Sequence, residues 1–379
     1  MGNLLSVTPI DIPEGSVVPA DEVQKQVDAN RNAILNGGAL PRSKMVDGRF
    51  VLDKAIFPNI GHEGTFSDFL KWRRTVVKVE TPTAEELEKL PVLDLDSQRL
   101  ENPPKDKIQV TWIGHASVLV QWDGWNVLAD PIFSERCSPV QFAGPARVRP
   151  SPVQAEDLCC PIDAVVISHN HYDHLDKDSV IGLAKRHPPP MWFVPLGMKK
   201  WMADCGVRNV VEMDWSEEAV LSSADKVDLK VSCLPCQHWC SRTPTDKNKC
   251  LWSSWLCSTS GNGANFFFGG DTGDCPMFKK VGDLHGPISF SAIPIGAYGH
   301  PTERWFHSPS HMNPEEAVKT HSDLKSKQSL GIHWGTFQLT AEPILEPPQL
   351  LKEALKTSGI SPDEFVVFKH GETRTYKKE

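Results

Sequence analysis

His169-Asn170-His171-Tyr172-Asp173-His174 places four metal-ligand side chains within six residues, directly after the apolar run Ala164-Val165-Val166-Ile167. Two imidazoles two positions apart can grip one divalent ion, and the carboxylate and imidazole beyond them can grip a second. Borderline metals such as zinc accept nitrogen and oxygen ligands of this kind in tetrahedral or five-coordinate sites. A solvated histidine-rich turn is the alternative. It does not explain four ligands leaving a buried strand, so the cluster predicts a metal or catalytic site.

Two metals need more ligands, and three stand in the same setting. His238 follows Val231-Ser232-Cys233-Leu234-Pro235, Asp271 follows Asn265-Phe266-Phe267-Phe268-Gly269-Gly270, and His333 follows Ser329-Leu330-Gly331-Ile332. Each sits where an apolar strand ends, and strand ends are where α/β folds build sites on a rigid frame. The two glycines before Asp271 allow a tight bend behind a ligand. Asp130, ahead of Pro131, suits a carboxylate that orients an imidazole from behind, with an Asp-Pro turn as the alternative. His115 is read either as a residue behind the ligands or as a satisfied core histidine. His62, His187, His285, His300, His307, His321 and His370 have no strand-end setting and read as surface residues.

The elements that must position these residues are coarsely visible. Ile108 through Gln121 and Trp125 through Leu128 read as a hairpin turning at Asp123-Gly124. Ser179 through Arg186, Glu315 through Lys325 behind Asn313-Pro314, and Gln349 through Thr357 before Ser358-Gly359 read as helices. Phe66, Phe69 and Leu70 share one face of a short helix that also carries Lys71, Trp72, Arg73 and Arg74. That stretch suits an anionic lipid interface, or else an ordinary covering helix.

A chain of 379 residues with 40% hydrophobic and 23% charged residues buries a sizeable core. Strands and helices interleave without repeat or linker from about residue 46 to 379, one α/β domain. Residues 1–45 are polar, punctuated by proline and glycine, and read as disordered or loosely docked. Met1-Gly2-Asn3-Leu4-Leu5-Ser6 fits the N-myristoylation pattern at Gly2. A net charge of −8 argues against a nucleic-acid backbone as partner. No secretory signal and no long apolar run is visible, and ten irregularly spaced cysteines suit free thiols in a reducing, intracellular compartment. Cys233-x-x-Cys236 is read as structural, since no second pair accompanies it.

The ligand loop, the lone His238, Gly270-Asp271-Thr272-Gly273 and Ile332-His333-Trp334-Gly335-Thr336, in this order, resemble the metallo-β-lactamase superfamily of dinuclear hydrolases. Thr111 through Ala116, Asp130 through Phe133, Gln237 through Cys240 and Ile293 through Tyr298 narrow the resemblance to the N-acylphosphatidylethanolamine-hydrolysing phospholipase D family, from about Gly48 onward. The resemblance implies an αβ/βα sandwich, two mixed sheets packed face to face with helices outside. It implies two zinc ions, one held by His169, His171 and His238, the other by Asp173, His174 and His333, with Asp271 bridging. It implies a metal-bound hydroxide as nucleophile, with Asp173 and Asp271 the carboxylates behind it. Tyr172 and His311 match the family's substrate contacts, with a helix-capping role as the alternative for His311. A phospholipid substrate, a peripheral membrane surface and a homodimer are the partners implied.

Two departures are visible. The loop Gly299 through Arg304 is longer than usual, which leaves acyl preference open. The family's bile-acid site is matched only at Arg242, with Ser241, Thr245 and Gln338 differing. The covalent type of phospholipase D needs a histidine followed two positions later by lysine, and the chain has none. A metal-dependent lactonase or other soluble hydrolase of the same fold is one alternative. A membrane-attached lipid-binding protein with vestigial catalysis is another.

Overall fold

The structure, a computed structural model, describes residues 18–34, 40–60, 66–186, 188–260 and 264–378. The chain begins with helix α1 (Ala20–Ile34), a hairpin of β1 (Lys44–Val46) and β2 (Arg49–Val51), and helices α2 (Phe66–Thr75), α3 (Ala84–Glu88) and α4 (Ser97–Glu101). Strands β3 (Lys107–Gly114), β4 (Ser117–Trp122), β5 (Trp125–Ala129) and β6 (Ala164–Val166) lead to α5 (Lys177–Ala184), β7 (Met191–Pro195), α6 (Lys199–Asp204) and β8 (Val210–Met213). The second half runs β9 (Glu218–Ser223), β10 (Lys226–Leu234), β11 (Ser254–Thr259), β12 (Asn265–Phe268), α7 (Met277–His285) and β13 (Phe290–Pro294). It then runs α8 (Arg304–His307), α9 (Pro314–Asp323), β14 (Ser329–Ile332), α10 (Glu346–Ser358), β15 (Phe365–Val366) and β16 (Thr373–Lys377).

Fourteen of these strands form two seven-stranded sheets, ordered β16-β3-β4-β5-β6-β7-β8 and β15-β14-β13-β12-β11-β10-β9. Each mixes parallel and antiparallel pairs. They pack face to face: Val110, Trp112, Val118, Val127 and Val166 of one share a buried core with Val231, Trp255, Phe266 and Phe268 of the other. Indole donors stitch the layers, Trp125 Nε1 to the Val227 carbonyl at 2.7 Å and Trp255 Nε1 to the Ile167 carbonyl at 2.9 Å. The outer face of the first sheet, with Leu119, Val165 and Trp192, is covered by Val180 and Leu183 of α5 and Met202 of α6. Strands buried on both faces explain why these segments read as unbroken apolar runs.

Strand direction decides where the site can be. In the first sheet β3, β5 and β6 run the same way, because β4 is antiparallel to both its neighbours and β5 and β6 are parallel. In the second, β10, β12, β13 and β14 run together for the same reason. The residues following β3, β5, β6, β10, β12 and β14 include His115, Asp130, His169, His238, Asp271 and His333, so every ligand-bearing loop leaves from a strand's C-terminal end.

Two expectations need correction. Ile108–Gln121 is not one arm of a hairpin: Gly114 (φ 129°) and His115 (φ 52°) reverse the chain, and β3 and β4 are separate strands. The expected turn at Asp123-Gly124 does form, with both residues at positive φ, the geometry that matches strand twist. The second falls within residues 1–45, read as disordered or loosely docked. Ala20–Ile34 is an amphipathic helix whose Val23 and Val27 are fully buried, and its Arg31 joins Arg42 on the buried Glu217 carboxylate. The apolar face is only two valines wide, too weak a periodicity to stand out, and the ion pair is remote in sequence. Gly2 lies outside the described residues.

Candidate metal centre

All seven expected ligands converge where the two sheets' C-terminal edges meet. His169 Nε2 lies 2.8 Å from His171 Nδ1, which lies 3.3 Å from His238 Nε2. On the other side His174 Nε2 lies 3.1 Å from His333 Nε2, and each is 3.3 Å from Asp173 Oδ2. Asp271 stands between: its Oδ2 is 3.2 Å from His174 Nε2, 3.9 Å from His238 Nε2 and 4.0 Å from His169 Nε2, while Oδ1 is 3.0 Å from His333 Nε2. Ligand atoms around a tetrahedral ion with bonds of about 2.0–2.1 Å lie roughly 3.4 Å apart, so both groups have the spacing of an ion's coordination shell.

The outer ring atoms decide which nitrogen faces inward. His174 Nδ1 donates to Asp130 Oδ2 at 2.6 Å, and His238 Nδ1 donates to the Ser310 carbonyl at 3.1 Å. His169 Nδ1 is 2.9 Å from Ser168 Oγ, whose own hydroxyl donates to Asp130. Each bond leaves the Nε2 lone pair pointing into the site, the usual way a metal-binding histidine is fixed. Asp130 therefore bonds the His174 ring directly and reaches the His169 ring through Ser168, the geometry of a carboxylate that orients imidazoles. His115 bonds to Asp173 Oδ2 through Nε2 at 2.9 Å, and its ring lies 4.0 Å from that of His333. It stands behind the ligands, not idle in the core. Asp130 (φ 36°), His115 (φ 52°) and His333 (φ 64°) all adopt the left-handed region, which costs non-glycine residues energy and concentrates at functional sites. Gly270 (φ 59°) also does so, and a Cβ there would stand 2.4 Å from that of Ser168. Glycine is thus required beside Asp271.

Burial opposes charge on every imidazole here. At His174 and His333 the carboxylates of Asp271 and Asp173 outweigh it, raising His174 well above the ordinary value and His333 to about 9. At His169 and His238 burial prevails and both are pushed well down, as is His171, to about 4. Asp271 is buried and Asp173 half-buried, and both are held ionised by the surrounding imidazoles. Two ionised carboxylates beside convergent nitrogen lone pairs fit divalent cations. The buried outer nitrogens, His171 Nε2 and His333 Nδ1, have no hydrogen-bond partner among the described residues.

The expected substrate contacts divide. His311 Nδ1 lies 3.7 Å from Asp271 Oδ2, its ring stacks on His333 at 5.6 Å, and it belongs to the rim of the centre. The residue that caps the following helix is Asn313, so the capping alternative for His311 falls. The Tyr172 hydroxyl instead donates to the Arg242 carbonyl at 2.9 Å, under the Arg242 guanidinium at 4.0 Å. Its proton is committed to the fold, contrary to the expectation of a hydroxyl directed at substrate. Sequence reasoning missed Ser168, whose only signal is its place before His169. It also missed Thr336, whose hydroxyl accepts the His115 N–H at 2.7 Å and contacts His370 Nε2 at 3.0 Å. His307, His321 and His370, read as surface residues, are buried; His370 stacks on Trp112 at 4.6 Å beneath the centre. His285 and His300 are half-buried, and His62 and His187 lie outside the described residues.

Residues 125–334 match the family model of the Beta-lactamase superfamily domain. The chain is 44% identical over 252 residues to N-acyl-phosphatidylethanolamine-hydrolyzing phospholipase D 1 of Caenorhabditis elegans, covering 65% of this chain and 69% of that protein. It is 34% identical over 251 residues to the mitochondrial N-acyl-phosphatidylethanolamine-hydrolyzing phospholipase D of Saccharomyces cerevisiae, covering 66% of this chain and 52% of that one. Among solved structures, a metallo hydrolase of Ignicoccus hospitalis shares the fold at TM-score 0.52 and 20% identity, over 72% of this chain and 100% of that chain. With the domain matched over more than half its length, and the nematode protein matched over more than two thirds of its own, the chain belongs to the beta-lactamase superfamily of metal-dependent hydrolases and, within it, to the N-acylphosphatidylethanolamine-hydrolysing phospholipase D family.

Proposed function

We propose that this protein is a zinc-dependent phospholipase D-type phosphodiesterase that hydrolyses N-acylphosphatidylethanolamine to N-acylethanolamine and phosphatidic acid. The observation that carries this reading is the position of Asp271, within 4.0 Å of nitrogens from both histidine groups. His169, His171 and His238 would hold one ion, Asp173, His174 and His333 the other, with Asp271 shared. Zinc bound there would lower the pKa of a shared water and neutralise phosphate oxygens as charge builds on phosphorus. The chain's own residues prepare for that chemistry. Asp130 and Ser168 lock two imidazoles, and His115 holds the Asp173 carboxylate by one oxygen. His311, pushed down to about 3 by burial, offers a neutral imidazole at the rim where a phosphodiester must enter.

A lipid substrate requires contact with a bilayer. No helix among the described residues is long and apolar enough to cross one. The α2 segment supports peripheral docking: Leu70, Val76 and Val79 are exposed beside exposed Lys71, Arg73 and Arg74. Its Trp72 stacks on Phe306 at 5.0 Å, and the chain then continues through Ser310 to His311. An acyl chain at Gly2 would add the second attachment that stable anchoring needs. The test is incubation of purified protein with vesicles of N-acylphosphatidylethanolamine and mass spectrometry of both products. N-acylethanolamine and phosphatidic acid in equal amounts are expected. A turnover confined to soluble esters or lactones would sink the reading.

A further inference from the structure

Past Cys240, two residues after His238, the chain enters the loop 241–249 and returns at Cys250. The neck of this loop is tied by reciprocal bonds: the Cys240 N–H donates to Asn248 Oδ1 at 3.2 Å, and the Asn248 N–H donates to the Cys240 carbonyl at 2.8 Å. Inside the loop, Asp246 accepts from the Ser241 hydroxyl at 2.8 Å and from the N–H groups of Arg242 and Thr243 at 3.0 and 2.8 Å. Cys240 and Cys250 stand at this neck, Cys250 two residues beyond Asn248. The Cys240 thiol donates to the Cys250 carbonyl at 2.7 Å, which brings its sulfur against residue 250.

The pair is asymmetric in a way that suits two-step oxidation. Cys240 is fully buried, whereas Cys250 is half-buried and lines a cavity of ≈ 430 Å³ shared with Tyr172, Trp201 and Arg242. A small polar oxidant can reach Cys250, and Cys240 stands directly behind it. Cys233, Cys236, Cys257 and Cys275 are all buried, like Cys240, so Cys250 is the sulfur of this pair that an oxidant can meet.

We propose that Cys240 and Cys250 form a reversible oxidation site that closes to a disulfide across the loop neck when the protein meets a peroxide. The Cys250 thiolate attacks one peroxide oxygen, the O–O bond breaks, and a protonated oxygen leaves as water, giving a sulfenic acid. The Cys240 sulfur then attacks the Cys250 sulfur, the S–OH bond breaks, and a second water departs with the Cys240 proton. Two electrons leave the thiols and reduce one hydrogen peroxide to two waters. A dithiol returns the pair to its reduced form by exchange.

The bond would act on the metal-ligand loop through Arg242. That guanidinium donates to the carbonyls of Asn170 and Leu175 at 2.9 and 2.7 Å, on either side of His171, Asp173 and His174. It also lies over the rings of Tyr172 at 4.0 Å and Trp201 at 4.8 Å. Drawing the neck together therefore moves a residue that clamps the ligand loop. None of this depends on which phosphodiester or ester the centre cleaves.

The test uses the full-length protein treated with hydrogen peroxide, then unfolded and alkylated. Of the ten cysteines, eight should be labelled instead of ten, with the peptides carrying Cys240 and Cys250 joined, and dithiothreitol should restore all ten. Ten labelled thiols after peroxide, a sulfinic acid at Cys250 without a cross-link, or a link from either residue to a different cysteine would each overturn the proposal. In Cys240→Ala the sulfenic acid cannot be resolved, so a dimedone adduct should accumulate at Cys250. Dimedone labelling spread over other cysteines instead would contradict it.

Discussion

At the scale of residues, the centre rests on a few groups whose removal has distinct signatures. Asp271→Asn removes the one charge shared by both nitrogen clusters. Bound metal should fall for both ions, and metal analysis showing two tightly held zincs would contradict the shared role. Asp130→Asn leaves every ligand in place but replaces one acceptor oxygen by an NH2 donor, so His174 Nδ1 and the Ser168 N–H can no longer both be served. Metal affinity or activity should drop about 10–100-fold, as for other outer-shell partners, with the fold intact. The imidazoles also set an acid limit for the metal-free protein. His115, His311 and His370 sit at about 3 and His171 at about 4, each lowered first by burial, while an unfolded histidine titrates at 6.5. Below pH 6.5 the unfolded chain binds protons the folded chain refuses, so stability is lost as pH falls from about 6.5 toward 4. His174 and His333 work in the opposite sense, since their raised values add stability that is complete below 6.5 and lost as pH rises, through about 9 for His333. With the lowered histidines in the majority, the thermal midpoint of metal-free protein should drop between pH 6.5 and 4. A flat profile there would mean these rings are not held neutral.

At the scale of elements, the strands that end in ligands were legible because burial on both faces writes continuous apolar runs, and a ligand after each run is conspicuous. Helices α5, α9 and α10 were legible from their apolar periodicity and from caps such as Asn313 before Pro314. What was not legible depends on contacts remote in sequence. The turn at Gly114-His115 is held by Thr336 and by the Trp112 indole, which donates to the His115 carbonyl at 2.9 Å. Helix α1 is held by Glu217, and nothing near residue 31 announces that partner. Val27→Ala should cost about 2 kcal/mol, the order expected for truncating a buried aliphatic side chain, and would show as a lowered denaturant midpoint with unchanged slope. No change would mean that α1 is not docked in solution. For α2, charge reversal at Arg73 and Arg74 spares the Lys71 contact with the Trp305 ring at 4.4 Å. Each basic group near an anionic surface is worth about 1 kcal/mol, so vesicle binding should weaken by about 2 kcal/mol or more while turnover of a short-chain phosphodiester persists. Equal loss of both activities would make α2 a covering helix and nothing more.

At the scale of the whole molecule, two sheets with co-directional strands bring six loop ends to one edge, and seven ligands from four separate chain regions meet there. The ligand set was readable from residue types at strand ends. The hydrogen bonds that aim each ring, through Ser168, Ser310 and Thr336, carry no pattern in the sequence, because a serine or a carbonyl beside a ligand looks like any other. The most direct measurement of the central claim is hydrolysis of N-acylphosphatidylethanolamine vesicles by zinc-loaded protein in heavy-oxygen water. Attack at phosphorus, at a centre built from His169, His171, Asp173, His174, His238, Asp271 and His333, predicts label in phosphatidic acid and none in N-acylethanolamine. Label in the N-acylethanolamine would place the cleavage at carbon–oxygen and contradict a two-metal phosphodiesterase.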